Sequence, residues 1–361
     1  MEQVMTQTPF QKMAAAHPTV LWNDSADPDE LPKAIAWGAV GATCNPVIAL
    51  TSLKNDPVTW SEHIRAYAAE HPAATHDEIG WAMVRKLSID AARLLEPAFA
   101  EYNGRNGRLS IQTDPRFYRD AKRLADQAVE FSKLAKNIIV KIPVTSAGVI
   151  AIEDATYRGV NINATVSFSV AQTIAVADAI ERGLNRRAAE GHDISTMGPV
   201  CTIMVGRTDD WMRKVAERDG VNVDPAAFDW AGVAAFKRAH QIYKERGYRT
   251  RLLSAAFRTH MHWSELVGGD VVISPPFAWG AKLNEMDIEP VNRIDTPVDP
   301  TIIAELRKLG REFDKAYEPD GMTTAEFDTY GAALRTLRQF LQANADLEAF
   351  VRDVLLPNPD A

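Results

Sequence analysis

Short apolar runs alternate along this chain with longer segments whose apolar residues recur every three or four positions. Eight runs have the length and β-branched content of strands. They are residues 19–24 (TVLWND), 39–44 (AVGATC), 108–113 (RLSIQT), 137–142 (NIIVKI), 160–166 (VNINATV), 200–205 (VCTIMV), 250–257 (TRLLSAAF) and 270–274 (DVVIS). Helical spacing fills most of the intervals: residues 116–136, then 169–184 with Gly183 as its stop, then 234–247 closed by Gly247.

Repeated strand–helix units imply parallel strands with helices outside, and eight of them predict a closed (β/α)8 TIM barrel. The structural alternative is an open doubly wound sheet. No glycine-rich dinucleotide fingerprint follows the first run and no P-loop occurs, which favours the barrel. Residues 46–107 form a helical insertion of about three helices after strand two. Residues 299–356 form a helical C-terminal extension that packs on a barrel spanning about 17–298, so that 1–361 is read as one domain.

In such a barrel the chemistry gathers at the C-terminal ends of the strands. The polar residues there are Asp24, Thr43, Asn45, Gln112, Asp114, Lys141, Asn163, Thr165, Thr202, Arg207 and Arg258, with Ser254 further back. Lys141 interrupts an apolar strand, where an ammonium is costly to bury and its pKa falls. A neutral amine is a nucleophile able to form a Schiff base with a carbonyl. The bland alternative is a lysine that reaches water or pairs with Asp24. Alternation puts Asn161, Asn163 and Thr165 on one face of strand five, an unusually polar face for a barrel interior. Arg207 and Arg258 follow strands six and seven. Arg207 stands close to a helix start capped by Thr208 or Asp209, and the two arginines form a candidate phosphate site.

Other chemistry is weaker. His260 and His262 form an H-x-H pair without a third ligand at a metal-binding spacing. Asp27 and Asp29 read as a loop and helix cap. Cys44 has no base beside it and reads as a small buried residue. The two cysteines, Cys44 and Cys201, fit a reducing compartment. The net charge of −8 disfavours non-specific binding to nucleic acid or anionic membrane, yet leaves room for a local anion pocket. No apolar run has the length of a membrane span, and the opening stretch MEQVMTQTPFQKMAAAHP lacks signal-peptide features. The expected location is cytoplasmic.

These motifs together resemble the transaldolase family. GATCNPVIAL is similar to the family's asparagine–proline segment after strand two. NIIVKIPVTSAGVIAIEDATYRGVNINATVSFSVAQ is similar to its lysine strand, the following helix and strand five, and IMVGR and AAFR to its phosphate-arginine segments. The resemblance implies a Schiff-base aldol mechanism with no metal and no cofactor. Lys141 would be the nucleophile, Asp24 the acid–base carboxylate and Thr165 the hydroxyl that holds a catalytic water. Asn45 and Asn163 would hold the donor's hydroxyls, with Thr43 and Thr202 beside them, and Arg207 and Arg258 would hold phosphate. Sugar phosphates are the implied partners, with no nucleic acid or membrane, and a homodimer is the assembly left open.

Three residues depart from the family pattern. Gln112 stands where typical transaldolases carry a glutamate, as in the fructose 6-phosphate aldolase branch. Met204 replaces an aromatic residue, and Ala256 replaces a frequent phosphate-binding serine. The expected activity is transfer of a dihydroxyacetone unit between sugar phosphates. The alternatives are a lyase releasing free dihydroxyacetone and a non-catalytic sugar-phosphate-binding barrel.

Overall fold

Eight parallel strands close on themselves in chain order. They are β1 (Val20–Asn23), β2 (Ala39–Cys44), β3 (Arg108–Gln112), β4 (Ile138–Pro143), β5 (Ile162–Thr165), β6 (Val200–Ile203), β7 (Arg251–Ala255) and β8 (Val272–Ser274). The computed structural model describes residues 7–360. Residues 1–6, part of the opening stretch read above for a signal peptide, lie outside the described residues. β1 pairs with β8 through Val20 and Val272, which completes the (β/α)8 barrel.

Period-two alternation sorts each strand between two environments. Residues such as Leu109, Ile111, Ile162 and Ala164 face the helices and join the main core. Trp22, Ile139, Val200, Leu253 and Val272 form a separate apolar plug. Register identifies this plug as the barrel interior, because Ile139 shares its strand face with Lys141. Two buried arginines, Arg108 and Arg251, lie below it at the strand starts, where Arg251 donates to Asn106 Oδ1 (3.0 Å) and Arg108 to the Thr196 carbonyl (2.8 Å). Polar residues cluster above it, at the opposite end. The lumen is therefore packed below and polar above, and any site belongs to the upper end.

Three helices occupy the insertion after β2: Pro46–Asn55, Pro57–Glu70 and His76–Glu101. The C-terminal extension contains the helices Pro300–Arg307, Arg311–Tyr317 and Gly331–Leu355. The last of these returns over the barrel. Its Leu347 packs on Gly80, and Asn344 donates to Asp77 (3.3 Å). Just before it, Asp328 accepts from the Ser146 backbone amide (2.8 Å) at the top of β4. Gly331 starts the helix against the Trp211 ring, where a Cβ would lie 2.1 Å from the indole. Among the described residues no helix is long and apolar enough to cross a membrane.

Two local expectations are corrected. The helix read as stopping at Gly183 runs from Val170 to Ala189. A Cβ at Gly183 would stand 2.8 Å from the Glu153 carbonyl oxygen, so this glycine serves close helix packing. The helix carrying Arg207 begins at Val205, with Met204 as its N-cap. Thr208 and Asp209 lie inside it and bond elsewhere. Gly247 does end its helix, in the left-handed conformation (φ 63°).

Candidate active site

Strand register assembles the centre of the site. Gln112 on β3, Lys141 on β4 and Asn163 on β5 are Cα partners across adjacent strands, so all three side chains enter the lumen at one level. Lys141 is 4% exposed. Burial pushes its pKa below the ordinary lysine value; the Asp24 carboxylate and the Cys44 thiol oppose the shift, and the Arg207 charge adds to it. Among the described residues no hydrogen bond or ion pair ties down the Lys141 amine.

Asp24 directly follows β1, its amide donating to the Pro275 carbonyl (3.0 Å). Thr43 Oγ1 donates to Asp24 Oδ1 at 2.5 Å across the β1–β2 seam. Asn163 is held at both ends of its amide: Nδ2 donates to Ser110 Oγ (3.1 Å) and Oδ1 accepts from Thr202 Oγ1 (2.8 Å). Asn45 caps the helix Pro46–Asn55, its Oδ1 accepting from the Ile48 amide (3.0 Å). That leaves the Asn45 Nδ2 donors for other partners. Three fully buried acceptors in the lumen, Gln112 Oε1, Thr165 Oγ1 and Ser274 Oγ, have no protein partner among the described residues. Unpaired buried polar atoms are costly, and they cluster where a ligand or water makes the missing contact.

Backbone strain marks the same end of the barrel. Val166 after β5 (φ 57°) and Ala256 after β7 (φ 62°) both adopt left-handed conformations without being glycine. Such residues cost about 1–3 kcal/mol each and gather at functional sites.

Arg207 and Arg258 line one hollow of about 260 Å³ above β6 and β7. Arg258 is paired with Asp210 through Nε (3.1 Å) and Nη2 (2.8 Å). Among the described residues Arg207 has no carboxylate partner. Its Nη1 donates to Thr336 Oγ1 (3.2 Å) and Gln339 Oε1 (2.6 Å), both on the C-terminal helix, while its Nε is buried and unpartnered. Burial, then the charge of Arg258, depresses the Arg207 pKa.

The H-x-H histidines do not act together. His260 is exposed and His262 is fully buried. His262 Nδ1 accepts from the Arg258 amide (3.0 Å), so Nε2 carries the hydrogen and donates to Asp209 Oδ2 (2.7 Å). Among the described residues no group of three His, Cys, Asp or Glu side chains is arranged to hold a metal ion. Cys44 and Cys201 are buried free thiols, Cys44 pushed up to about 11 by burial.

Sequence reasoning missed Ser110, which seats Asn163, and the whole contribution of the C-terminal helix. The alternation Arg108–Ser110–Gln112 contains the signal for Ser110, since Ser110 shares a face with Gln112. A larger hollow of about 470 Å³ lies behind β7, between the helix Ala231–Arg246 and residues 294–298. Its one buried cation, Lys237, is already held by Glu265 and the carbonyls of Arg293 and Thr296 (2.9 Å each).

The comparisons agree with this architecture. Residues 21–330 match the family model described as transaldolase/fructose-6-phosphate aldolase. A transaldolase of Thiobacillus denitrificans is 30% identical over 324 residues, 81% of this chain and 89% of that protein. A transaldolase of Mycobacterium tuberculosis is 32% identical over 212 residues, 57% of this chain and 55% of its own length. One of Mycolicibacterium smegmatis is 30% identical over 253 residues, 67% of this chain and 66% of its own. With the family match running through all eight strands to the edge of the last helix, the chain belongs to the transaldolase/fructose-6-phosphate aldolase family of enzymes.

Proposed function

We propose that this protein transfers a dihydroxyacetone unit from a ketose phosphate to an aldose phosphate through a Schiff base on Lys141. The observation that carries the reading is the buried, unpaired Lys141 amine between Gln112 and Asn163, its pKa lowered by burial. Lowering the pKa raises the fraction of neutral amine at any given pH.

In the proposed sequence Lys141 Nζ adds to the C2 ketone, and loss of water gives the iminium. Asp24 accepts the C4 hydroxyl proton as the C3–C4 bond breaks, and that electron pair flows into the iminium to leave an enamine on Lys141. The aldose phosphate departs. The enamine carbon then attacks the aldehyde of the acceptor, whose oxygen takes the proton back from Asp24. Hydrolysis of the new iminium releases product and restores the amine. The iminium is the electron sink, so the chemistry calls for neither metal nor cofactor. Thr43 orients the Asp24 carboxylate, and Asn163, seated on Ser110 and Thr202, offers its remaining amide hydrogen to the donor's hydroxyls. Thr165 holds the water that adds to the iminium. Arg207 and Arg258 receive the phosphate.

Gln112 favours a second reading. Its Oε1 is buried without a protein partner beside Lys141, where it can orient water but not shuttle a proton. Release of free dihydroxyacetone would then compete with transfer, as in a fructose 6-phosphate aldolase.

The test is borohydride reduction of the protein mixed with fructose 6-phosphate, followed by intact mass and peptide mapping. A three-carbon adduct on Lys141, absent in Lys141→Arg, is the expected result. An adduct on another lysine, or none although fructose 6-phosphate binds, overturns the mechanism. Adding erythrose 4-phosphate separates the two activities: transfer consumes the adduct, whereas lyase activity yields free dihydroxyacetone without it.

A further inference from the structure

The hollow above β6 and β7 is not built by the barrel alone. The helix Gly331–Leu355 crosses it and contributes Arg335, Thr336 and Gln339 to its wall. Gly331 makes that approach feasible by letting the helix start against the Trp211 ring. Three guanidiniums, Arg207, Arg258 and Arg335, thus line one small space with a single carboxylate, Asp210.

The charges do not balance. Asp210 is taken by Arg258. Among the described residues Arg207 has only the neutral Thr336 and Gln339 as hydrogen-bond partners, and its buried Nε has none. Arg335 makes no ion pair or side-chain hydrogen bond among the described residues; the charge of Arg258 and, less strongly, that of Arg335 act unfavourably on Arg207, while the Asp24 and Asp210 carboxylates act favourably on it. Like charges held together with too little counter-charge repel, and an incoming anion relieves that repulsion. An excess of two positive charges matches a phosphate monoester, which carries about −1.5 to −2 at neutral pH. A sugar carboxylate carries one negative charge and leaves the hollow under-neutralised.

We propose that Arg335 is a third ligand for the substrate's terminal phosphate and that the C-terminal helix completes the phosphate site. Thr336 and Gln339 hold Arg207 in position, and Arg335 adds its guanidinium to the anion from the C-terminal helix. The hydroxyl missing at Ala256 is thereby offset by a charged donor from outside the barrel. This rests on the sugar-phosphate reading above, of which it names the recognition element.

The experiment compares wild type with Arg335→Gln and Arg335→Lys. Arg335 is exposed, so neither change disturbs the core. Inorganic phosphate binding, followed by calorimetry, should weaken about tenfold in Arg335→Gln, with partial recovery in Arg335→Lys. KM for fructose 6-phosphate should rise by the same factor. Borohydride trapping of unphosphorylated dihydroxyacetone on Lys141 should not change. Phosphate affinity and KM equal to wild type in Arg335→Gln would overturn the proposal, as would wild type that binds no phosphate. Failure of the Schiff-base reading is separate: it would show as wild type that binds phosphate through Arg335 but traps no carbonyl compound.

Discussion

Thr43 donates its hydroxyl hydrogen to Asp24 Oδ1 across the seam between β1 and β2. The bond fixes the carboxylate itself, while the Asp24 backbone just past β1 is held by its amide donating to the Pro275 carbonyl. A hydrogen bond to an ionised group contributes about 1.5–3 kcal/mol. Thr43→Val should therefore lower kcat for fructose 6-phosphate by about tenfold or more while KM changes little, because the loss falls on proton transfer. Thr43→Ser keeps the donor and should retain most of the rate. Steady-state kinetics on the two variants decide the matter: equal rates in Thr43→Val and wild type would remove Thr43 from the positioning of Asp24.

The lysine that would carry the chemistry weakens the fold. In the unfolded chain Lys141 keeps its proton up to the ordinary lysine pKa, whereas in the barrel it releases it at lower pH. Between those values the unfolded state binds more protons, so stability rises with pH across the window. Below the window the full cost of burying the ammonium applies. Lys141→Met should raise stability at neutral pH by about 1 kcal/mol or more, and should flatten the rise at alkaline pH. Denaturant titrations at several pH values give both numbers. The neighbouring charges act in opposite senses: Arg207→Gln should move the pH midpoint of dihydroxyacetone trapping upward, and Asp24→Asn should move it downward.

The barrel was legible because its units are local. Each strand is a short apolar run and most of the intervals show helical spacing, so eight strands could be counted before any contact was known. Lys141 stood out because a charge inside NIIVKI breaks the only rule that the run obeys. The errors came where one residue type answers two demands. Gly183 looks like a helix stop and is a close packing contact. Met204 caps its helix through the backbone, which left Thr208 and Asp209, the better capping side chains, as false signals. Arg335 was invisible for another reason. An exposed arginine on an amphipathic helix reads as a solvated face, and only the fold carries the helix back over β6. There Gln339 meets Arg207, 132 positions earlier in the chain.

Gln112 governs what happens to the enamine if the proposed mechanism holds. Its side chain is fully buried at the level of Lys141, and its Oε1 has no protein partner. An amide there orients water without accepting its proton, whereas a carboxylate would do both. Gln112→Glu should increase transfer to erythrose 4-phosphate relative to release of dihydroxyacetone. It should also raise the Lys141 pKa, because a negative charge would then face the ammonium. Product ratios measured with and without acceptor test the first effect. An unchanged ratio would mean that the residue beside the water does not set the outcome.

His262 links the interior to the proposed phosphate end of the site. It accepts from the Arg258 amide and donates to Asp209, whose other oxygen accepts from the Gly232 amide (2.8 Å). Burial raises the Asp209 pKa, and the His262 hydrogen bond opposes that rise. His262→Leu strips one partner from each, leaving Asp209 Oδ2 and the Arg258 backbone amide unpaired, which costs about 1–3 kcal/mol for each group. Without the opposing bond Asp209 takes up a proton more readily in the folded state. The stability loss should therefore be smaller at mildly acidic than at alkaline pH, since a protonated Asp209 no longer bears the charge penalty. His262→Gln can donate from Nε2 and accept at Oε1, and should recover part of the loss. The Arg258 loop should loosen in His262→Leu, raising KM for fructose 6-phosphate more than it lowers kcat. A His262→Leu variant with wild-type KM and a pH-independent stability loss would mean that His262 only fills space.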